Sequence, residues 1–142
     1  MPKITFIGAG SSIFVKNVLG DCLLSPALES STIALFDIDE KKLRQSELLM
    51  KKLNENLGTH ATIMATTDRL VALRGADYVI NAIAVGAYDP YTIADFEIPQ
   101  KCGLEQTVAD TLGVGGLFRG LRAIPVMISI AQDMEKVCPD AW

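Results

Sequence analysis

The residues able to do chemistry sit first at the start of the chain. Lys3-Ile4-Thr5-Phe6-Ile7 is a short apolar run that ends in Gly8-Ala9-Gly10-Ser11-Ser12, and a helical pattern follows at once. Gly8 permits a sharp backbone turn, and Gly10 lets the backbone approach a bound group with no Cβ in the way. Ser11 and Ser12 are placed to cap the next helix, whose unpaired N–H groups carry a partial positive charge of roughly half a unit. A turn of this kind suits a pyrophosphate. The dinucleotide pattern G-x-G-x-x-G is only partly met, because Ile13 stands at its third glycine. Taken alone, the turn reads equally well as a tight strand-to-helix connection that binds nothing.

A second apolar run, Ile33-Ala34-Leu35-Phe36, ends in Asp37. That is near the spacing of about 20 residues beyond the turn at which a ribose-binding acid is expected. Its carboxylate can accept hydrogen bonds from both adenosine ribose hydroxyls. It would also repel a 2′-phosphate, by about 4 kcal/mol at roughly 4 Å and an effective dielectric near 20. The expected cofactor is therefore NAD rather than NADP. Asp39 is the better cap for the helix that follows.

The elements that must position these groups follow from periodicity and punctuation. A first helix is expected over Ser12–Leu24, with Phe14, Val18 and Cys22 on one face, and Ser25-Pro26 stops it. Asp39 opens a second helix with Leu43, Met50, Leu53 and Leu57 as its buried stripe, closed by Gly58 in the left-handed region. A third strand is expected over 60–66 and a short capped helix over 68–74, closing at Gly75. The only histidine, His60, has no metal-ligand partner at suitable spacing and reads as a strand residue. The run over 76–84 is almost wholly apolar and reads as a fourth strand buried on both faces. Strands alternating with helices imply right-handed crossovers and a Rossmann-like doubly wound α/β fold with a parallel sheet. Ligands of such sheets lie at the carboxyl ends of the strands, so the backbone at Val85 and Gly86 is expected to face the nicotinamide half of the cofactor.

Asp89-Pro90 reads as a helix start. A polar, glycine-rich loop over 106–116 then feeds the longest helix, with Leu117, Leu121, Ile124, Ile128, Ala131 and Cys138 repeating on one face and Pro125 inside it. Arg119 and Arg122 stand in its first turns, where a cation opposes the helix dipole unless an anion compensates. They are expected to face Asp110, a ligand or solvent.

At 142 residues, 49% hydrophobic and 21% charged, the chain reads as one well-cored globular domain. Its formal net charge of -4 argues against general affinity for nucleic acid or anionic membrane. No apolar stretch reads as long enough to span a bilayer, and nothing resembles a signal peptide. Three widely spaced cysteines, Cys22, Cys102 and Cys138, point to cytoplasmic thiols.

With the whole chain read, it resembles the amino-terminal part of glycoside hydrolase family 4, in particular its α-galactosidase branch of the melibiase type. The resemblance is carried by Ile7-Gly8-Ala9-Gly10-Ser11-Ser12, Phe36-Asp37-Ile38-Asp39 and Val85-Gly86-Ala87-Tyr88-Asp89-Pro90. It continues through Gln106-Thr107-Val108-Ala109-Asp110-Thr111-Leu112-Gly113-Val114-Gly115-Gly116 and the following Arg119 to Arg122. That family departs from the usual carboxylate-pair glycosidases. The resemblance implies NAD and a divalent metal, manganese. NAD⁺ takes hydride from C3 of the sugar, and the ketone so formed makes the C2 proton acidic. A base removes that proton while the metal stabilises the enolate; the glycosidic oxygen leaves, water adds, and NADH returns the hydride.

Relatives acting on 6-phosphosugars are expected to offer an arginine after the Val-Gly turn, whereas 87–100 contains neither Lys nor Arg and carries Asp89, Asp95 and Glu97. Such relatives also tend to have Glu where this chain has Asp110. The expected substrate is thus an unphosphorylated α-galactoside, with Asp110 first for its hydroxyls and Asp89 and Arg119 behind it. The family's metal-binding Cys and His and its catalytic Tyr are expected beyond Trp142, where a fifth strand is due. No catalytic or metal residue is therefore expected within 1–142, which reads as an incomplete NAD-binding domain, inactive alone and prone to self-association as a homo-oligomer. The competing readings are a 6-phospho-glucosidase of the same family, an NAD dehydrogenase of the lactate or malate type, and a non-catalytic NAD-binding module.

Overall fold

The computed structural model describes residues 1–106 and 113–142. Each apolar run ending in a turn signal becomes a parallel strand: β1 (Lys3–Ile7), β2 (Thr32–Phe36), β3 (Thr62–Thr66) and β4 (Tyr78–Asn81), in the order β3-β2-β1-β4. Ile4 lies opposite Ile33 on one side and Tyr78 on the other, and Phe6 lies opposite Leu35 and Ile80. The helices of this first compact unit (1–83 and 133–142) are α1 (Ser12–Leu24), α2 (Glu40–Leu57) and α3 (Arg69–Leu73). Local chemistry sets their ends. The Asp39 carboxylate accepts from the Lys42 N–H at 3.0 Å, and that of Asp68 accepts from the Leu70 and Val71 N–H groups. Gly58 closes α2 with φ +68.

Between the sheet and these helices lies the core of Phe6, Val15, Leu19, Leu23, Ile33, Leu35, Leu43 and Met50. Each such side chain contributes about 1.5–3 kcal/mol on leaving water. The buried stripe of α1 is Val15, Leu19 and Leu23, rather than the expected Phe14, Val18 and Cys22; Phe14 is 61% exposed. Both stripes are apolar at helical spacing, and the rotation set by the turn at Gly8 chooses between them. On α2, Leu43 and Met50 are buried as expected, but Leu57 is exposed.

β4 is shorter than the expected strand and stands at the sheet edge among the described residues, with Tyr78 exposed. Its composition reports apolar faces, whereas burial depends on its place in the strand order. Trp142 starts a pairing there: its N–H donates to the Asp77 carbonyl at 3.0 Å, and its carbonyl accepts from the Val79 N–H at 2.7 Å.

One ion pair ties α3 to residue 133 of the same unit: Arg69 Nε donates to Asp133 Oδ2 at 2.9 Å. The Arg69 hydrogen bond, helped by Lys136, holds the Asp133 carboxyl below its ordinary range. A carboxylate depressed in the folded state contributes stability above its unfolded pKa of about 3.9, and that contribution is lost as pH falls through the lower folded value. Asp133→Asn should therefore melt earlier than the parent chain at neutral pH, with the gap closing in acid. Circular-dichroism melts across pH 2–7 check this; a gap constant with pH would refute it.

The second unit, 84–132, contains an irregular turn over Ala87–Thr92, α4 (Ile93–Lys101) and most of α5 (Gly113–Val137). The expected helix start at Asp89-Pro90 agrees with the backbone: Asp89 is extended (φ −106, ψ 126), as an N-cap residue is, Thr92 is already helical, and α4 runs on from Ile93. The α5 stripe Leu117, Leu121, Ile124 and Ile128 is exposed. Helix α5, 25 residues long with a mean hydropathy of 1.4 over its most apolar window, meets the length and composition of a bilayer span. The expectation that no apolar stretch is long enough for a span is thus corrected, by length and composition alone.

Candidate functional site

The glycine turn is built against the end of β2. The Gly8 and Ala9 N–H groups both donate to the Phe36 carbonyl at 2.9 Å. Gly10 donates its N–H to Asp37 Oδ2 at 2.6 Å, and Asp37 Oδ1 accepts from the Asp39 N–H at 2.9 Å. Three donors of the turn are thus spent within the protein. The donors that remain belong to the first turn of α1, which has no intrahelical acceptors for them. Ser11 makes no side-chain cap bond, contrary to the expected capping by Ser11 and Ser12. The missing cap leaves those N–H groups, and the positive end of the helix dipole, turned outward.

Both glycines are demanded by the protein itself. Gly8 has φ +93, and a Cβ there would stand 2.8 Å from the Ala82 carbonyl carbon and oxygen at the end of β4. A Cβ on Gly10 would stand 2.8 Å from Asp37 Oδ2. Ile13, at the third position of the pattern, is 72% exposed and needs no close packing. Asp37 is half-buried; a carboxylate offers about four lone-pair sites, and backbone donors take two of them. The remaining two can accept a diol. The structure brings the acid and the turn together, as the spacing predicted.

In the second unit, Val85 and Gly86 are half-buried, and Gly86 has φ +93. A Cβ on Gly86 would fall 2.7 Å from Tyr91 Cδ2. The Tyr91 ring centroid lies 5.2 Å from the Arg122 guanidinium carbon. Arg122 forks onto Asp95, its Nη1 and Nη2 at 2.8 and 2.5 Å from the two carboxylate oxygens. Gln106 extends the cluster: its Nε2 donates to the Asp95 carbonyl at 3.1 Å, and its Oε1 accepts from the Gly115 N–H at 3.0 Å.

Of the expected sugar-binding residues, Asp89 and Arg119 are exposed in this unit, and Asp110 lies outside the described residues. Arg122 is paired with Asp95, an anion the expectation did not name, while the Asp110 it was expected to face lies outside the described residues. From the sequence, Asp95 counts only as part of an acidic stretch, Gln106 only as the start of the glycine-rich loop, and Tyr91 has no place. No local signal marks a partner 27 residues away. Among the described residues, no three His, Cys, Asp or Glu side chains group to hold a metal.

Comparison with known proteins places this geometry in context. Residues 3–142 match the model of family 4 glycosyl hydrolases. An alpha-galactosidase of Bacillus subtilis is 58% identical over 100% of this chain and 33% of its own length. An alpha-glucosidase of Erwinia rhapontici is 41% identical over 99% of this chain and 31% of its length. A 6-phospho-beta glucosidase of Thermotoga maritima, solved with manganese, NAD+ and glucose-6-phosphate, superposes with a TM-score of 0.84 at 28% identity, over 97% of this chain and 32% of its own. The chain spans about a third of the length of the curated relatives it matches.

Proposed function

The chain belongs to glycosyl hydrolase family 4, and from that premise we propose that residues 1–142 are the NAD-binding domain of an NAD- and metal-dependent α-galactosidase. The observation that carries the cofactor assignment is the Asp37 carboxylate braced against the Gly10 N–H. In this reading the pyrophosphate rests at the amino end of α1 above Gly8, Gly10, Ser11 and Ser12. Asp37 holds the adenosine ribose, and the backbone at Val85 and Gly86 faces the nicotinamide. Bound there, NAD supplies a hydride acceptor that the reaction regenerates. The chain's own part is to hold the cofactor: donors on the diphosphate, a carboxylate on the ribose diol, and glycines where a Cβ would collide.

The sugar is proposed to be an unphosphorylated α-galactoside. Support comes from the identity to the Bacillus enzyme and from 87–100, which holds no Lys or Arg to pair a 6-phosphate. Asp110, Asp89 and Arg119 remain the proposed contacts to its hydroxyls. Asp95 leaves that set, since Arg122 occupies its carboxylate. The described residues do not group to hold manganese, so no step is assigned to a metal here.

Two measurements test this. Calorimetry should show NAD binding with millimolar affinity or better, and no binding would remove the cofactor assignment. The purified chain with NAD, manganese and reductant should leave p-nitrophenyl α-galactoside intact, and measurable turnover would overturn its assignment as a cofactor domain only. Net NADH formation from lactate or malate would favour a dehydrogenase instead.

Cytoplasmic location is proposed from the free thiols. Self-association is proposed through the exposed α5 stripe, whose Leu117, Leu121, Ile124 and Ile128 alternate at spacings of four and three, the pattern of a helix-pairing seam. Sedimentation should show a dimer that Ile124→Glu converts to monomer; a monomeric parent chain at high concentration would refute it.

A further inference from the structure

Within the second unit, one side chain joins three segments that the function needs in register. Arg122 of α5 forks onto Asp95 of α4 and lies against the face of Tyr91, and Tyr91 fills the space where a Cβ on Gly86 would stand. Asp95 is 5% exposed, and its carboxylate could not be buried so deeply without the two-pronged partner. The Asp95 carbonyl in turn accepts from the Gln106 amide nitrogen, and the oxygen of that same amide accepts from the Gly115 N–H at the start of α5. A lysine in place of Arg122 would keep the charge but lose both the fork and the flat face that stacks on a ring.

We propose that Arg122, fixed by Asp95, is a positioning residue: it seats the Tyr91 ring under Gly86 and so sets the direction of the backbone at the turn read as facing the nicotinamide. The inference rests on that reading of Val85 and Gly86. It differs from a purely structural role in what it predicts. The adenine half of the cofactor is held elsewhere, by Asp37 and the turn at Gly8, so disturbing the Tyr91 seat should alter the surroundings of the nicotinamide and spare overall affinity. A structural brace alone would alter stability and leave the environment of a bound nicotinamide ring as it was.

The test is fluorescence of bound NADH in the full chain and in Arg122→Lys, Tyr91→Leu and Tyr91→Phe, each with its thermal melt. NADH should bind all four with dissociation constants within about threefold of one another. The emission of the bound nicotinamide should fall by about half or more toward that of free NADH in Arg122→Lys and Tyr91→Leu, where the supporting wall is loosened. Tyr91→Phe keeps the ring and should keep the parent emission. Where Arg122→Lys fails to fold, the Tyr91 pair alone decides. Parent-like emission from folded Tyr91→Leu overturns the inference and leaves NAD binding intact. Absence of any NADH binding by the unaltered chain overturns the cofactor reading and this inference with it.

Discussion

Gly8→Ala should cost about 3 kcal/mol of stability, from the left-handed backbone and the overlap together, and lower the melting temperature by roughly 10 °C. Two independent facts add. The residue sits at φ +93, which an L side chain rarely adopts, and its Cβ would press 2.8 Å from the carbonyl carbon and oxygen of Ala82. The obstacle is backbone at the end of β4, so relief requires moving a strand rather than rotating a side chain. Gly58→Ala is the matching control. Its φ is +68 and nothing lies within 4 Å of its Cβ, so only the backbone term of about 1 kcal/mol remains. Thermal melts of the two variants side by side decide the matter. Equal losses would mean that the passage of Gly8 beside Ala82 carries no energetic weight. The Gly8 variant should also bind NAD more weakly, because the turn that sets the start of α1 must shift.

Asp37→Ala should lower NAD affinity by about 100-fold, the loss expected when two hydrogen bonds to a charged acceptor disappear. It should also reduce stability by about 1–3 kcal/mol, since the Gly10 and Asp39 N–H groups lose their acceptor. The two effects are separable by cofactor choice. Removing the charge removes the repulsion of a 2′-phosphate, so the preference for NAD over NADP should narrow even as overall affinity falls. Calorimetry with both cofactors reads this directly. An Asp37→Ala chain that melts early yet binds NAD as the parent does would show Asp37 to be a brace for the turn and nothing more.

Where a few neighbouring residues decide, the sequence was enough. The bounds of α1 follow from the glycine turn before it and from Ser25-Pro26 after it. Asp39, Asp68 and Gly58 punctuate the chain through hydrogen bonds and backbone angles within four residues of themselves. Parallel pairing of the strands follows from helices intervening between short apolar runs. The family, too, was legible, because its turns recur in order along nearly the whole chain.

Tertiary structure alone decided the rest. Which of two apolar stripes of α1 faces the core depends on how the chain leaves Gly8, and periodicity cannot express that rotation. Among the described residues β4 stands at the sheet edge because of what lies beside it, not because of what it contains. The α5 stripe that reads as a core face is exposed, since a pattern marks a face without saying what covers it. The union of Asp95 with Arg122 joins residues 27 positions apart. Such contacts arise from the packing of whole elements, and short-range propensities carry no trace of them.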